Sequence, residues 1–199
     1  ALVLKKIVIA SSNIHKLSEI SINIQPFFDT ILSLSNFPEI GKIIEDGTTI
    51  EENSYIKSRA AFNHTGLASI ADDTILEVDF LNGEPGIFTA RYAGNNATYD
   101  QNMNKLLNEL DGVEDKLRTA RFRTVISFVN GISDFHVEGV LEGRISKSRM
   151  GKKGFGYDPI FHVDEYNMSL AQISISRKNK ISHRGLAIKK FIHKIREIL

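Results

Sequence analysis

Asp72 and Asp73 stand side by side after the apolar run Leu67-Ala68-Ser69-Ile70-Ala71. Two carboxylates at the end of a buried strand repel, and a cation or a proton relieves them. Hard oxygen donors of this kind suit Mg²⁺. Neighbours in an extended chain face opposite ways, so the two acids are expected to have different roles. A turn in which Asp-Asp-Thr merely ends a strand fits the pair as well. Glu45-Asp46-Gly47 comes earlier, followed by Glu51-Glu52-Asn53 and Lys57. The dipole of a helix starting near residue 53 accounts for Glu51 and Glu52. It does not account for Glu45, a candidate second metal ligand.

Ser11-Ser12-Asn13-Ile14-His15-Lys16 offers another kind of chemistry. Orphan N–H groups at a helix start attract anions, and Lys16 lies one turn inside. An ordinary cap followed by a solvated lysine explains the same residues, and the glycines of a P-loop are missing. Gly151-Lys152-Lys153-Gly154-Phe155-Gly156-Tyr157-Asp158-Pro159 has two readings. It is either a flexible rim whose aromatic faces stack on a planar base, or a loop whose aromatics dip into the core. Lys178 with Ser182-His183-Arg184-Gly185 is the last group, in which an arginine fork could grip a phosphate or carbonyl. Polar decoration at a helix start explains that group equally. No His-Glu-x-x-His spacing occurs and there is no cysteine, which argues against zinc and excludes disulfides.

These groups need elements to carry them. Residues 2 to 10 read as a buried strand, and apolar positions 14, 17, 20 and 24 as a helix capped from Ser11-Ser12-Asn13. A second helix is expected from Asn53, its cap, to about His64, with Gly66 as its stop. A short strand over 67–71 ends in the acid pair, and Leu76, Val78 and Phe80 alternate as a second, half-buried strand. Met103, Leu106, Leu107 and Leu110 form one face of an amphipathic helix before Gly112. Residues 121–129 and 135–145 pair as a hairpin through Asn130-Gly131. A last helix covers about 186 to 199, with Ser182 as a candidate cap; His64 and His193 fall on helix surfaces. Interleaved strands and helices plus a hairpin imply an α/β protein with a mixed sheet, read as one domain over 1–199.

Composition sets the outer limits. The chain has 199 residues, 25 Lys+Arg against 24 Asp+Glu, and 42% hydrophobic residues. That is too apolar for a disordered tail and too neutral for a polybasic nucleic-acid coat. No apolar run reaches about 18 residues, so no membrane span is expected. The opening residues lack a secretory pattern, which points to a cytoplasmic address.

In order, five segments resemble the inosine/xanthosine triphosphate pyrophosphatase family. Residues 7–16 are similar to its opening strand and A-T-G-N-x-x-K turn. Residues 45–57 are similar to E-x-G-x-T-F-x-E-N-A-x-x-K, and residues 70–94 to A-D-D-S-G-L-x-V-D with G-x-P-G-x-x-S-A-R-Y. Gly154-Phe155-Gly156-Tyr157-Asp158-Pro159-Ile160-Phe161 and Ser182-His183-Arg184-Gly185 match the last two without change. Ser12 departs from the usual Gly, and Thr74-Ile75 from Ser-Gly; Thr keeps the hydroxyl, whereas Ile does not readily take positive φ.

The resemblance implies a mixed sheet flanked by helices, two lobes around a central cleft, and a homodimer, with the apolar stretch from Pro85 to Phe88 as a candidate interface. It implies Mg²⁺-dependent hydrolysis of ITP, dITP or XTP to the monophosphate and pyrophosphate. Asp73 is then the catalytic base, with Glu45 and Asp73 as metal ligands and Asp72 as a further ligand or orienting group. Ser11, Ser12, Asn13, Lys16, Asn53, Lys57, Thr74 and Lys178 would meet the substrate, its phosphates above all. Phe155, Gly156, Tyr157, Asp158, His183 and Arg184 would meet the base, whose C6 oxygen accepts where adenine's amino group donates. Leaving such donors unpaired costs about 1–3 kcal/mol per group. A dTTP or UTP pyrophosphatase, and a nucleotide-binding module without turnover, are the alternatives; no nucleic-acid or membrane partner is expected.

Overall fold

The computed structural model describes residues 4–198. Residues 2, 3 and 199, assigned above to the first strand and the last helix, lie outside the described residues. The strands are β1 (Leu4–Ile9), β2 (Phe28–Ser33), β3 (Ser69–Val78), β4 (Pro85–Gly86), β5 (Thr119–Val129), β6 (Phe135–Ile145), β7 (Phe161–Val163) and β8 (Met168–Ser169). The α-helices are α1 (Ile14–Ile24), α2 (Ile50–Thr65), α3 (Tyr99–Glu109), α4 (Ile175–Ile181) and α5 (His183–Ile198). Among the described residues one eight-stranded sheet runs β2-β1-β3-β5-β6-β7-β8, with β4 paired to β3. β1 is parallel to β2 and β3, whereas β4, β7 and β8 pair antiparallel with their neighbours. The sheet is therefore mixed.

The chain divides into two compact units. The first takes the chain up to Asp73, Thr124–Gly139 and the residues from Arg184 on. The second takes Thr74–Arg123 and Val140–His183.

In the first unit Ile7-Val8-Ile9 of β1 is apolar and buried on both faces, as a parallel strand covered twice must be. Ile7 and Ile9 join a core with Ile20 and Ile24 of α1 and Ile188, Phe191 and Ile195 of α5. Val8 and Ala10 face a smaller cluster with Ala61 and Ala71. α1 is capped by Asn13, whose Oδ1 accepts from the amides of His15 and Lys16. α2 begins at Ile50, three residues before the expected Asn53. Thr49 is its cap and accepts from the Glu52 amide, because Thr49-Ile50-Glu51-Glu52 carries the Thr-x-x-Glu start signal. Asn53 lies inside the helix, where its Oδ1 accepts from the Gly47 amide at 2.9 Å. Gly66 ends α2 in the left-handed region at φ 67°.

The two strands expected on either side of the acid pair are one strand, β3, which runs through Asp72-Asp73 without a break. Phe80 lies beyond it in a short 3₁₀ turn and is exposed. Among the described residues, positive φ outside glycine is confined to Asn82 and Asn167. Ser12 and Ile75 therefore need no left-handed backbone, and both departures from the family pattern are accommodated.

The second unit has its own core, including Leu76, Met103, Leu106, Phe122, Phe161 and Ile173. α3 opens on a reciprocal cap between Thr98 and Gln101. The buried Arg118 guanidinium donates to the carbonyls of Leu110, Ile145 and Ser146 and so ties loop ends to β6. Among the described residues no helix is long and apolar enough to cross a membrane.

Candidate functional site

The first unit gathers opposite charges at the middle of β3. Strand alternation sends the Asp72 side chain inward, where it is 0% exposed, and leaves Asp73 half-buried. Asp72 Oδ2 lies 3.3 Å from Lys16 Nζ and accepts from Arg184 Nε at 3.2 Å. The same guanidinium donates through NH1 to Glu19 Oε2 at 2.6 Å. Lys57, on α2, donates to the Asp72 carbonyl at 2.5 Å and pairs with Glu45 Oε1 at 3.1 Å. Four elements thus supply the cluster: α1 gives Lys16 and Glu19, α2 gives Lys57, β3 gives the acids, and the start of α5 gives Arg184.

These placements separate the two acids electrostatically. Burial alone would raise the Asp72 carboxyl, but Lys16, Arg184 and Lys57 outweigh it and hold the group well below the usual carboxylate range. Asp73 goes the other way. Burial is the largest cause, Glu45 and Asp72 add like charge, and Lys57 and Lys16 only partly offset them, so its pKa is pushed up to about 6. Burial and the neighbouring Lys57 and Arg184 lower the Lys16 ammonium against the pull of Asp72. For Lys57 burial is again the largest single effect, yet Asp72, Glu45 and Asp73 together raise it.

At the α1 start, Ser11 Oγ accepts from the Asn13 amide at 3.2 Å and Ser12 is exposed. Asn13 engages the His15 and Lys16 amides through its own side chain. The charge that this helix start offers an anion is therefore the Lys16 ammonium more than those two amides.

In the second unit the Gly154-Phe155-Gly156-Tyr157-Asp158 loop is fastened from within. Asp158 Oδ2 accepts from the Phe155 amide at 3.0 Å and from Lys178 Nζ at 2.7 Å. Gly154 sits at φ 71°, and a Cβ there would run into the Asp158 carboxylate. Lys178 comes from α4 and lies 4.7 Å above the Phe155 ring centre. Tyr157 is buried, with its hydroxyl donating to the Thr89 carbonyl at 2.8 Å. That makes it a core residue, and the stacking face in this loop belongs to Phe155. Phe155 lines an open pocket of about 330 Å³ with Tyr99, Met103, Lys152, Lys153 and Pro159. His183 is buried and stacked on Phe122, ring centres 4.5 Å apart. Thr74 follows Asp73 on β3 and is half-buried.

Three contributors are not among the candidates that the sequence singles out. Glu19 shares its helix with Lys16, one turn on, and looks like one more surface acid. Thr89 holds both the Tyr157 hydroxyl and, through Oγ1, the Leu76 amide. Ser54, wholly buried on α2, donates to the Ala71 carbonyl.

Among the described residues no group of three or more His, Cys, Asp or Glu is clustered as a metal cage. Glu45 and Asp73 do feel one another as like charges. Two hard carboxylates with little else fit Mg²⁺, which takes one or two protein carboxylates and completes its shell with water and phosphate.

A profile of the Ham1 family matches residues 7–194. A relative from Vibrio vulnificus (strain YJ016), named dITP/XTP pyrophosphatase, is 44% identical over 197 residues, covering 98% of each chain. A relative of the same name from Thermoanaerobacter pseudethanolicus is 46% identical over 185 residues, covering 93% of each. The solved structure of the Staphylococcus aureus Ham1 protein superposes with a TM-score of 0.88 at 38% identity, covering 98% of this chain and 100% of that one.

Proposed function

The chain belongs to the Ham1 family, and from that premise we propose that it hydrolyses non-standard purine nucleoside triphosphates, dITP, XTP and ITP, to the monophosphate and pyrophosphate. The relatives' names support a hydrolase of triphosphate anhydride bonds. One observation carries the chemistry: two adjacent acids with proton affinities driven apart, Asp72 downward and Asp73 up to about 6. A carboxylate held far below neutrality by Lys16 and Arg184 cannot take a proton, whereas one near 6 is ionised at neutral pH and still basic enough to do so. Asp73 is therefore the base that accepts the proton of the attacking water, and Asp72 is the anchor.

Lys16 and Lys57 supply the positive charge that meets the phosphates. Asp72 keeps Lys16 aimed, and Glu19 and Asp72 together hold Arg184, so Arg184 acts in this centre by fixing Asp72. Glu45 and Asp73 are the carboxylates that would hold Mg²⁺, which when bound supplies a Lewis acid for a phosphoryl oxygen and a more acidic water. Water adds across the α–β anhydride, its proton passes to an Asp73 carboxylate oxygen, and pyrophosphate leaves from the monophosphate. For recognition of a purine the second unit offers the Phe155 face for stacking and the His183 ring as a donor toward a C6 oxygen.

A panel of dITP, XTP, ITP, dTTP, UTP and ATP, each with and without Mg²⁺ and scored by pyrophosphate release, tests the function. The expected result is turnover of the first three at least about a hundredfold above ATP and dependent on the metal. Preference for dTTP or UTP would transfer the chain to a pyrimidine pyrophosphatase. Tight dITP binding without release would make it a binding module.

A further inference from the structure

On the footing of the hydrolase function above, we infer that the Ser54 hydroxyl is a positioning residue for the acid pair, acting on the peptide that precedes Asp72. The β1–β3 pairing reaches Ile9↔Ile70, and the Ile70 carbonyl accepts from the Ala10 amide at 2.7 Å. Beyond that point α2 takes hold of β3. Ser54 Oγ donates to the Ala71 carbonyl at 2.9 Å, and Lys57 Nζ, one turn further along α2, donates to the Asp72 carbonyl. Two successive peptide planes, those before and after the Cα of Asp72, are thereby fastened to one helix.

Ser54 is itself braced. Its Oγ lies 2.8 Å from Ser127 Oγ on β5, which lies 2.8 Å from Ser58 Oγ. Ser54, Ser58 and Ser127 are all 0% exposed. A hydroxyl has one proton to give. The Ser54 proton reaches both Ala71 O and Ser127 Oγ, and the Ser58–Ser127 contact takes its proton from one of those two hydroxyls. In a dry interior such a chain is costly to disturb, so α2 adds to the β5 pairing of β3 in fixing the rotation of the Ala71–Asp72 peptide. That rotation sets where the Asp72 and Asp73 carboxylates point.

The family pattern has Ala at the position of Ser54, so Ser54→Ala is expected to fold. Its control is Ser69→Ala, which removes an equally buried hydroxyl from β3, one that donates to the Leu67 carbonyl instead. With dITP as substrate, Ser54→Ala should lower kcat about tenfold with KM within about twofold, as displaced reacting groups do. Ser69→Ala should keep kcat within about twofold. In the metal-free protein the side-chain carboxyl ¹³C resonances of Asp72 and Asp73 should move in Ser54→Ala and stay in place in Ser69→Ala. An unchanged kcat in Ser54→Ala, unmoved carboxyl resonances, or an equal loss in Ser69→Ala overturns the inference. If the wild-type chain hydrolyses none of the triphosphates, the proposed function falls and the resonances alone decide the role of Ser54.

Discussion

Asp73 is ionised at neutral pH against burial and two neighbouring carboxylates, so the fold holds that charge at a structural cost. Its pKa is raised to about 6 in the folded chain, so the folded state binds that proton more tightly than the unfolded state does. The sign follows from linkage: the stabilising effect of the protonated form is complete below about pH 4 and is lost as pH rises through 6. Asp73→Asn should therefore make the metal-free protein more stable at pH 8, by roughly 1–3 kcal/mol in urea unfolding. That advantage should shrink toward zero as the pH is brought down to 4. The same substitution should lower turnover by about 10²- to 10⁴-fold. A variant that hydrolyses dITP normally would remove Asp73 from the base role. Asp72 has the opposite sign: the cations around it add stability above the ordinary carboxylate pKa that fades as acid protonates it.

At the level of elements, the helices work as holders whose ends are chemically specified. Gly66 closes α2 at φ 67° with open space around its Cβ position. Gly66→Ala therefore strains only the backbone and should cost about 1 kcal/mol in thermal or urea unfolding with kcat unchanged. A fall in kcat would mean that α2 shifts when its end is disturbed. Local signals of this kind are what the sequence makes legible. Asn13 caps α1, Thr98 and Gln101 close the start of α3, and the run of Leu106 and Leu110 faces a core. The start of α2 differs from the sequence expectation because Asn53 and Thr49 both carry cap chemistry, and it is Thr49 whose side chain accepts from the Glu52 amide. β2, β4, β7, β8 and α4 went unseen for a different reason. All five are two to seven residues long, and Phe28–Ser33 has a burial pattern without alternation. The break expected at Asp72-Asp73 was absent because three cations compensate the charge inside a continuous strand. Two of them, Lys16 and Lys57, were candidates for the phosphates, and their grip on Asp72 is a long-range fact that spacing does not encode.

Among the described residues the first unit has a large apolar core with a smaller cluster beside it, and the second unit has a core of its own. Phe191 is 1% exposed in the first and Phe161 0% exposed in the second. Phe191→Ala and Phe161→Ala should each cost about 3–5 kcal/mol. In calorimetry that corresponds to a Tm lower by roughly 10 °C in a chain of this size. A drop of only a degree or two for either would mean that its core repacks around the missing ring. The cores also explain what composition could foresee: 42% hydrophobic residues suffice for burial, but not for telling one core from two.

Arg184 and Asp72 are 112 positions apart in the chain. During synthesis at about 5–20 residues per second, the aspartate is made roughly 6–22 s before its guanidinium partner exists. Throughout that interval, burying β3 would strand a carboxylate with part of its neutralising charge still untranslated. The nascent first unit must therefore wait, open at its centre, for α5 to arrive. A pyrophosphatase of this design completes the charge cluster around its acid pair in one late step, not gradually as the polypeptide grows.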